Sequence, residues 1–123
     1  MIEDIVKKPW LDVVVEFLSS EEGGNNLISL GNYLYGDRFV NGYRPHFRIK
    51  GETEYLGIMF KSGPEGLVKP NEKINAQVWL NYYPGISYEK LMNGAEFEIM
   101  EGARIVGTGN VIGSMSFDKS LYE

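Results

Sequence analysis

Cysteine is absent from the 123 residues. That excludes disulfides, thiolate metal sites and cysteine nucleophiles, and it fits a cytoplasmic location. Histidine occurs once, at His46, so any Ser-His-Asp arrangement must pass through that residue. His46 stands among Arg44, Arg48 and Lys50 with no carboxylate beside it in sequence, which marks a surface or structural group rather than a general base. No apolar run approaches the roughly 18 residues that span a bilayer, and the N-terminus has no basic head followed by an apolar core. Neither a membrane association nor a signal peptide is expected. The chain also lacks G-x-x-x-x-G-K-[ST] and H-E-x-x-H, so neither a phosphate-cradling loop nor a zinc helix is predicted. No cofactor and no metal follow from these residues, and the chain is expected not to be an enzyme.

Positive charge is scarce as well. Twelve Lys and Arg face seventeen Asp and Glu, a net charge of −5. Non-specific nucleic-acid binding draws on clustered cations that displace counterions, so this balance argues against strong, non-specific binding to DNA or RNA while leaving room for a local basic patch, and DNA is not an expected partner. Glu96, Glu98 and Glu101 lie close in sequence, but alternate residues on one strand face usually make a solvated face rather than an acid–base pair.

What the chain does have is turns. The 15 glycines and five prolines punctuate short β-branched and aromatic runs. The most specific stretch is Gly94 to Asn110. Ala95, Phe97 and Ile99 alternate with Glu96, Glu98 and Met100, a strand with one buried face. Gly102, as the first of two loop residues, fits a type II′ hairpin turn. Ile105 to Ile112 reads as the returning strand, with Gly107 and Gly109 leaving room for a close approach. Asp12 to Leu18, Tyr43 to Lys50, Tyr55 to Lys61 and Lys73 to Leu80 read as four further strands. Leu27 to Val40 reads as a long, partly packed loop, either an ordered excursion over one end of the fold or a functional or mobile segment. Tyr88 to Met92 reads as a short helical turn or loop, and Asp118 to Glu123 as a fraying end. The expectation is a single all-β domain over 12–112, with a lead-in at 1–11 and a tail at 113–123, forming a sandwich or closed barrel.

Arg44, His46, Arg48 and Lys50 fall on one face of their strand, the only basic stripe in the chain. Such a stripe is either a solvated face balanced by nearby carboxylates or a contact surface for phosphate or an acidic protein.

Several pieces, in order, resemble the third, C-terminal β-barrel domain of bacterial elongation factor Tu. They are Glu21-Glu22-Gly23-Gly24, Asn41-Gly42-Tyr43-Arg44-Pro45-His46-Phe47, Val68-Lys69-Pro70-Asn71-Glu72 and the hairpin from Phe97 to Gly109. They span nearly the whole of 12–112, and the Asn-Gly-Tyr-Arg-Pro and Glu-Gly-x-Arg-x-Val-Gly pieces are the specific ones. The resemblance implies a six-stranded antiparallel closed barrel. It also implies a translation-linked binding module, because in the family this domain holds the T-stem backbone of aminoacyl-tRNA and contacts the exchange factor. Carried over by position, the contacts fall on Glu101, Gly102 and His46, with Arg104 beside them. Met100 and His46 stand where the family has Arg and Gln, and Ala103 replaces its second turn glycine. The chain has no counterpart of the GTPase domain, so GTP is not an expected ligand. The candidate binding residues are therefore Arg44, His46, Arg48, Lys50, Glu101, Gly102 and Arg104. The expected partner is aminoacyl-tRNA or a translation factor. The alternative is a small acidic antagonist or immunity-type protein that mimics the barrel to bind a protein partner.

Overall fold

Eight residues of β-branched and aromatic sequence open the sheet as β1 (Trp10–Phe17), which alternates buried and outward side chains along its length. A computed structural model describes residues 8–25, 28–30, 34–35, 38–39, 43–64 and 66–117. The remaining strands are β2 (Leu34–Tyr35), β3 (Arg38–Phe39), β4 (His46–Ile49), β5 (Leu56–Ser62), β6 (Ile74–Leu80), β7 (Glu96–Glu101) and β8 (Arg104–Ser116). Six of them close into an antiparallel barrel in the order β1-β6-β5-β4-β7-β8, with β8 returning to β1. The fold is the all-β closed barrel expected from the sequence. β1 begins upstream of residue 12 and β8 runs past residue 112, where Trp10 pairs with Ser116.

The period-2 pattern explains the core. Leu11, Val13, Val15 and Phe17 point inward from β1, and Phe97 and Ile99 from β7, all at 2% exposure or less. Phe47 stacks on Phe97 at 3.9 Å between ring centroids, and Phe17, Tyr43 and Phe60 form an aromatic group at one end. Each such side chain contributes on the order of 1.5–3 kcal/mol by leaving water. Gly107 and Gly109 take inward positions opposite Phe17 and Val15. A Cβ on Gly109 would lie 2.4 Å from the Val14 carbonyl and 2.7 Å from Phe97 Cζ, so the missing side chain is the space that the ring and β1 occupy.

Three stretches depart from the sequence reading. The strand expected over Tyr43 to Lys50 has β4 only at His46–Ile49, because Pro45 has no N–H to give a ladder. Its upstream part still pairs, with the Tyr43 and Pro45 carbonyls accepting from Phe60 and Ile58. The expected loop at 27–40 carries structure where it is described. Ile28 and Leu30 are buried, Ser29 bridges Leu67, and β2 pairs antiparallel with β3. Residues 26–27, 31–33, 36–37 and 40–42, including the Asn41-Gly42 turn, lie outside the described residues, as do Glu65 and the tail from 118. Trp79, placed by alternation with the polar face of β6, is 3% exposed and packs outside the barrel with Met59 and Trp10.

The other end is closed by 81–95. Tyr88 and Leu91 are buried there, with the Leu91 amide donating to the Tyr88 carbonyl. The Tyr88 hydroxyl donates to the Gly57 carbonyl at 2.6 Å and accepts from the Tyr82 amide at 3.1 Å. Burial pushes this phenol up to about 12.

Two stability predictions follow from this packing. Gly109→Ala is expected to cost about 1–3 kcal/mol through overpacking, read as a lower urea midpoint; an unchanged midpoint would remove the close-approach argument. For Tyr88, an unfolded chain gives up the phenolic proton near pH 10 while the folded chain keeps it to about 12. Stability is therefore fully present below pH 10 and lost between roughly 10 and 12, by about 3 kcal/mol from this group. Tyr88→Phe starts less stable by about 1–3 kcal/mol, because the Tyr82 amide loses its acceptor and the Gly57 carbonyl keeps the Asn81 amide but loses the closer hydroxyl donor, and its alkaline loss should be correspondingly shallower. Equal slopes for the two proteins would refute this.

Candidate functional site

The β7–β8 hairpin carries the most specific sequence, and its turn is built as expected. Gly102 has φ +61°, whereas among the described residues the non-glycine ones with positive φ are Asn71 and Asn93, so only the first loop position is left-handed. That is the type II′ pattern. A Cβ at Gly102 would meet nothing within 4 Å, so the tip faces open solvent.

Below the tip, Glu101 and Arg104 hold one another and two distant segments. Arg104 Nη2 donates to Glu101 Oε1 and to Asn25 Oδ1, each at 2.9 Å, and Nη1 donates to the Gly23 and Gly24 carbonyls. The other oxygen of Glu101 accepts from Asn25 Nδ2 at 2.7 Å and from the Tyr43 hydroxyl. Burial, then the hydrogen bond to the Glu101 carboxylate, raises the Tyr43 phenol far above its ordinary range. A further link ties in 68–72. The Asn71 amide donates to the Phe17 carbonyl, and the Asn71 side chain bonds Glu22. Glu22 in turn accepts from the Ser19 backbone N–H at 3.1 Å, the main cause of its lowered pKa. The four segments Glu21–Gly24, Tyr43–Phe47, Val68–Glu72 and Phe97–Gly109 thus meet at one end of the barrel.

The basic stripe is a different matter. β4 pairs with β7 in a register that sets Arg48 opposite Glu98. Arg48 Nη2 and Nε donate to one oxygen of Glu98 at 2.8 and 3.2 Å, and that hydrogen bond raises the guanidinium pKa. Lys50 lies 3.9 Å from Glu96, an open pair with side chains 72% and 70% exposed, worth little in water. His46 is half-buried, with its ring 5.8 Å from that of Tyr55. Arg44 is exposed, its Nε hydrogen-bonded at 3.1 Å to the weak acceptor Met59 Sδ, and no carboxylate partner stands beside it among the described residues.

Glu101, Gly102 and Arg104 therefore come together, while Arg48 and Lys50 are drawn into pairs on the outer wall. Sequence reasoning missed Asn25 and gave Tyr43 to the core alone. Tyr43 is in fact both, its ring packed on Phe60 and its hydroxyl on Glu101. The polar rim also forms an open groove of about 260 Å³ across β1, β7 and β8, edged by Glu16, Lys50, Lys73, Glu96 and Glu98. Among the described residues, no group of three or more His, Asp or Glu is placed to hold a metal, and no helix is long and apolar enough to cross a membrane. No protein-family model matches the chain.

Glu101→Gln should leave the hairpin strands formed and weaken their tether to the loop at 23–25. Bonds to a charged acceptor contribute about 1.5–3 kcal/mol each, less here because Glu101 is partly exposed. The Tyr43 phenol should then ionise at lower pH in an ultraviolet titration. A titration indistinguishable from that of the unaltered protein would show that Glu101 does not hold Tyr43.

Proposed function

We propose that the chain is a non-enzymatic binding module of the elongation factor Tu C-terminal barrel kind, linked to translation in the cytoplasm, with aminoacyl-tRNA or a translation factor as partner. The observation that supports this reading is convergence. The four segments on which the resemblance rests are separated by up to 81 residues across the Arg104–Gly23 contact, yet they meet at one end of a closed six-stranded barrel. The Arg104–Glu101–Asn25 network holds the Gly102-Ala103 tip in a fixed, solvent-facing position. A preorganised tip of this kind meets a rigid partner with little ordering cost. Backbone amides at the tip, with Arg44 and His46 on the adjoining wall, are the groups that would touch a phosphate backbone.

A second reading has its own observation. Glu98 and Glu96 pair with Arg48 and Lys50, which removes half of the basic stripe as a phosphate surface. The neutralised face suits a protein partner better than a polyanion, as an acidic antagonist that mimics the barrel would need.

Filter binding with aminoacyl-tRNA at two salt concentrations separates them. The first reading expects retention that falls with salt at a slope of about 0.9 per phosphate neutralised, and a loss in Arg44→Ala. Absence of retention at low salt, together with a one-to-one complex with the elongation factor's exchange factor, would overturn it in favour of the antagonist.

A further inference from the structure

The outer face of β5 presents a row of which the readings above use only Arg44, at its β4 end. Its outward positions are Gly57, Met59 and Lys61, spaced by two residues and so about 7 Å apart along the strand. The Tyr82 ring lies directly on Gly57, where a Cβ would come within 2.2 Å of Tyr82 Cε2. Met59 stands beside Trp79, its register partner on β6, and Trp79 beside Trp10 on β1. Lys61 Nζ sits 4.8 Å from the Trp10 ring centroid and 5.8 Å from that of Trp79. Arg44 closes the row on the β4 side through its contact with Met59.

Two kinds of side chain make up this row. Met59 and Trp79 are packed away and give it a firm floor. Tyr82 is 54% exposed, Trp10 and Lys61 are half-buried, and Arg44 is exposed. The two charges differ from the paired ones. Arg48, Lys50, Lys90 and Arg104 each have a carboxylate within 4.0 Å, whereas Arg44 and Lys61 have none among the described residues. Asp12, the carboxylate across β6 on β1, accepts from Gln77 Nε2 at 3.0 Å. The opposite face of that Gln77 amide, Oε1, accepts from Lys61 at 3.3 Å and from Ser62 at 2.9 Å.

The geometry points to a single-stranded nucleic-acid track on this wall, with bases stacking on Tyr82 and Trp10 and phosphates meeting Arg44 and Lys61. An acidic peptide would satisfy the two cations and leave the ring faces wet. A duplex would offer phosphates and keep its bases stacked away from the rings. A single strand supplies both kinds of contact, which is the recurring chemistry of sequence-tolerant strand binding. The track starts where β1 begins and β6 ends and runs across β5 to Arg44 on the approach to β4, which the β4–β7 register carries toward the hairpin tip. It shares Arg44 with the surface proposed for that tip, whereas Tyr82, Trp10 and Lys61 belong to the track alone.

The chain's two tryptophans are Trp10 and Trp79, so its indole fluorescence reports this wall alone. The test is titration with an oligouridylate of roughly ten nucleotides, within the site sizes such surfaces cover. The track requires saturable quenching whose affinity falls with salt at a logarithmic slope near −1.4, about 0.7 for each of two cations. Lys61→Gln or Arg44→Gln should halve that slope, and Tyr82→Ala should weaken binding roughly 5- to 150-fold. Circular dichroism on each variant guards against lost folding, and the two charge variants alter side chains outside the core. No saturable quenching would overturn the track, as would oligoglutamate competing as well as oligouridylate, or both charge variants binding with unchanged slope. Because oligouridylate has no stem, failure here leaves tRNA retention at the hairpin tip to stand or fall by itself.

Discussion

Closure through β1 is the constraint from which the rest of the structure follows. β1 pairs with β6 on one side and β8 on the other, and only this double pairing satisfies the peptide groups of a sheet that would otherwise end in two open edges. Curving the sheet far enough to close leaves little room inside. The interior accommodates Phe17, Phe47, Phe60 and Phe97 because two positions on β8 have no side chain. Closure also sets where the ends lie. The hairpin tip, the loop after β1, the approach to β4 and the turn before β6 all gather at one end, so one carboxylate can reach residues 58 and 76 positions away.

Charge on this barrel is organised by strand pairing rather than by composition. The antiparallel register of β4 with β7 sets Arg48 against Glu98 and brings Lys50 near Glu96. A stripe that is basic along the chain is therefore close to neutral across it. Lys61 lies instead over the outer indole rings, and Arg44 against Met59 beside them, neither with a carboxylate within 4.0 Å among the described residues. Local field and net charge thus diverge: an acidic protein can carry a small cationic surface if its carboxylates are committed elsewhere.

Much of the scaffold was legible because a strand with one buried face writes its period into the sequence. Ile74, Ala76, Val78 and Leu80 are buried as their alternation implies, and Gly102 takes the left-handed conformation its turn needs. What was not legible depends on partners far away in the chain. Nothing near Arg48 announces Glu98, 50 residues on. Trp79 follows Gln77 on the outward side of β6, and only the arrival of Met59 and Trp10 from neighbouring strands makes that side dry. Ile28 and Leu30 have no periodic company, so their burial under an excursion leaves no local pattern. Tyr43 shows the limit most clearly. Alternation places its ring correctly but says nothing about the carboxylate that receives its hydroxyl.

The order of strands around the barrel also has a temporal side. β1 is made first of the barrel strands, yet its neighbours are β6 and β8, the third-to-last and last of them to leave a ribosome, with the hairpin partner β7 between them. Until Ile74 onward has emerged, Val13, Val15 and Phe17 have no native strand to lie against. Pairing dominated by such remote contacts belongs to the slow, millisecond-to-second regime of folding. A nascent chain therefore carries its most valine-rich segment uncovered for most of its synthesis, and the same wrapping that leaves the finished barrel without a free edge makes the half-made one sticky.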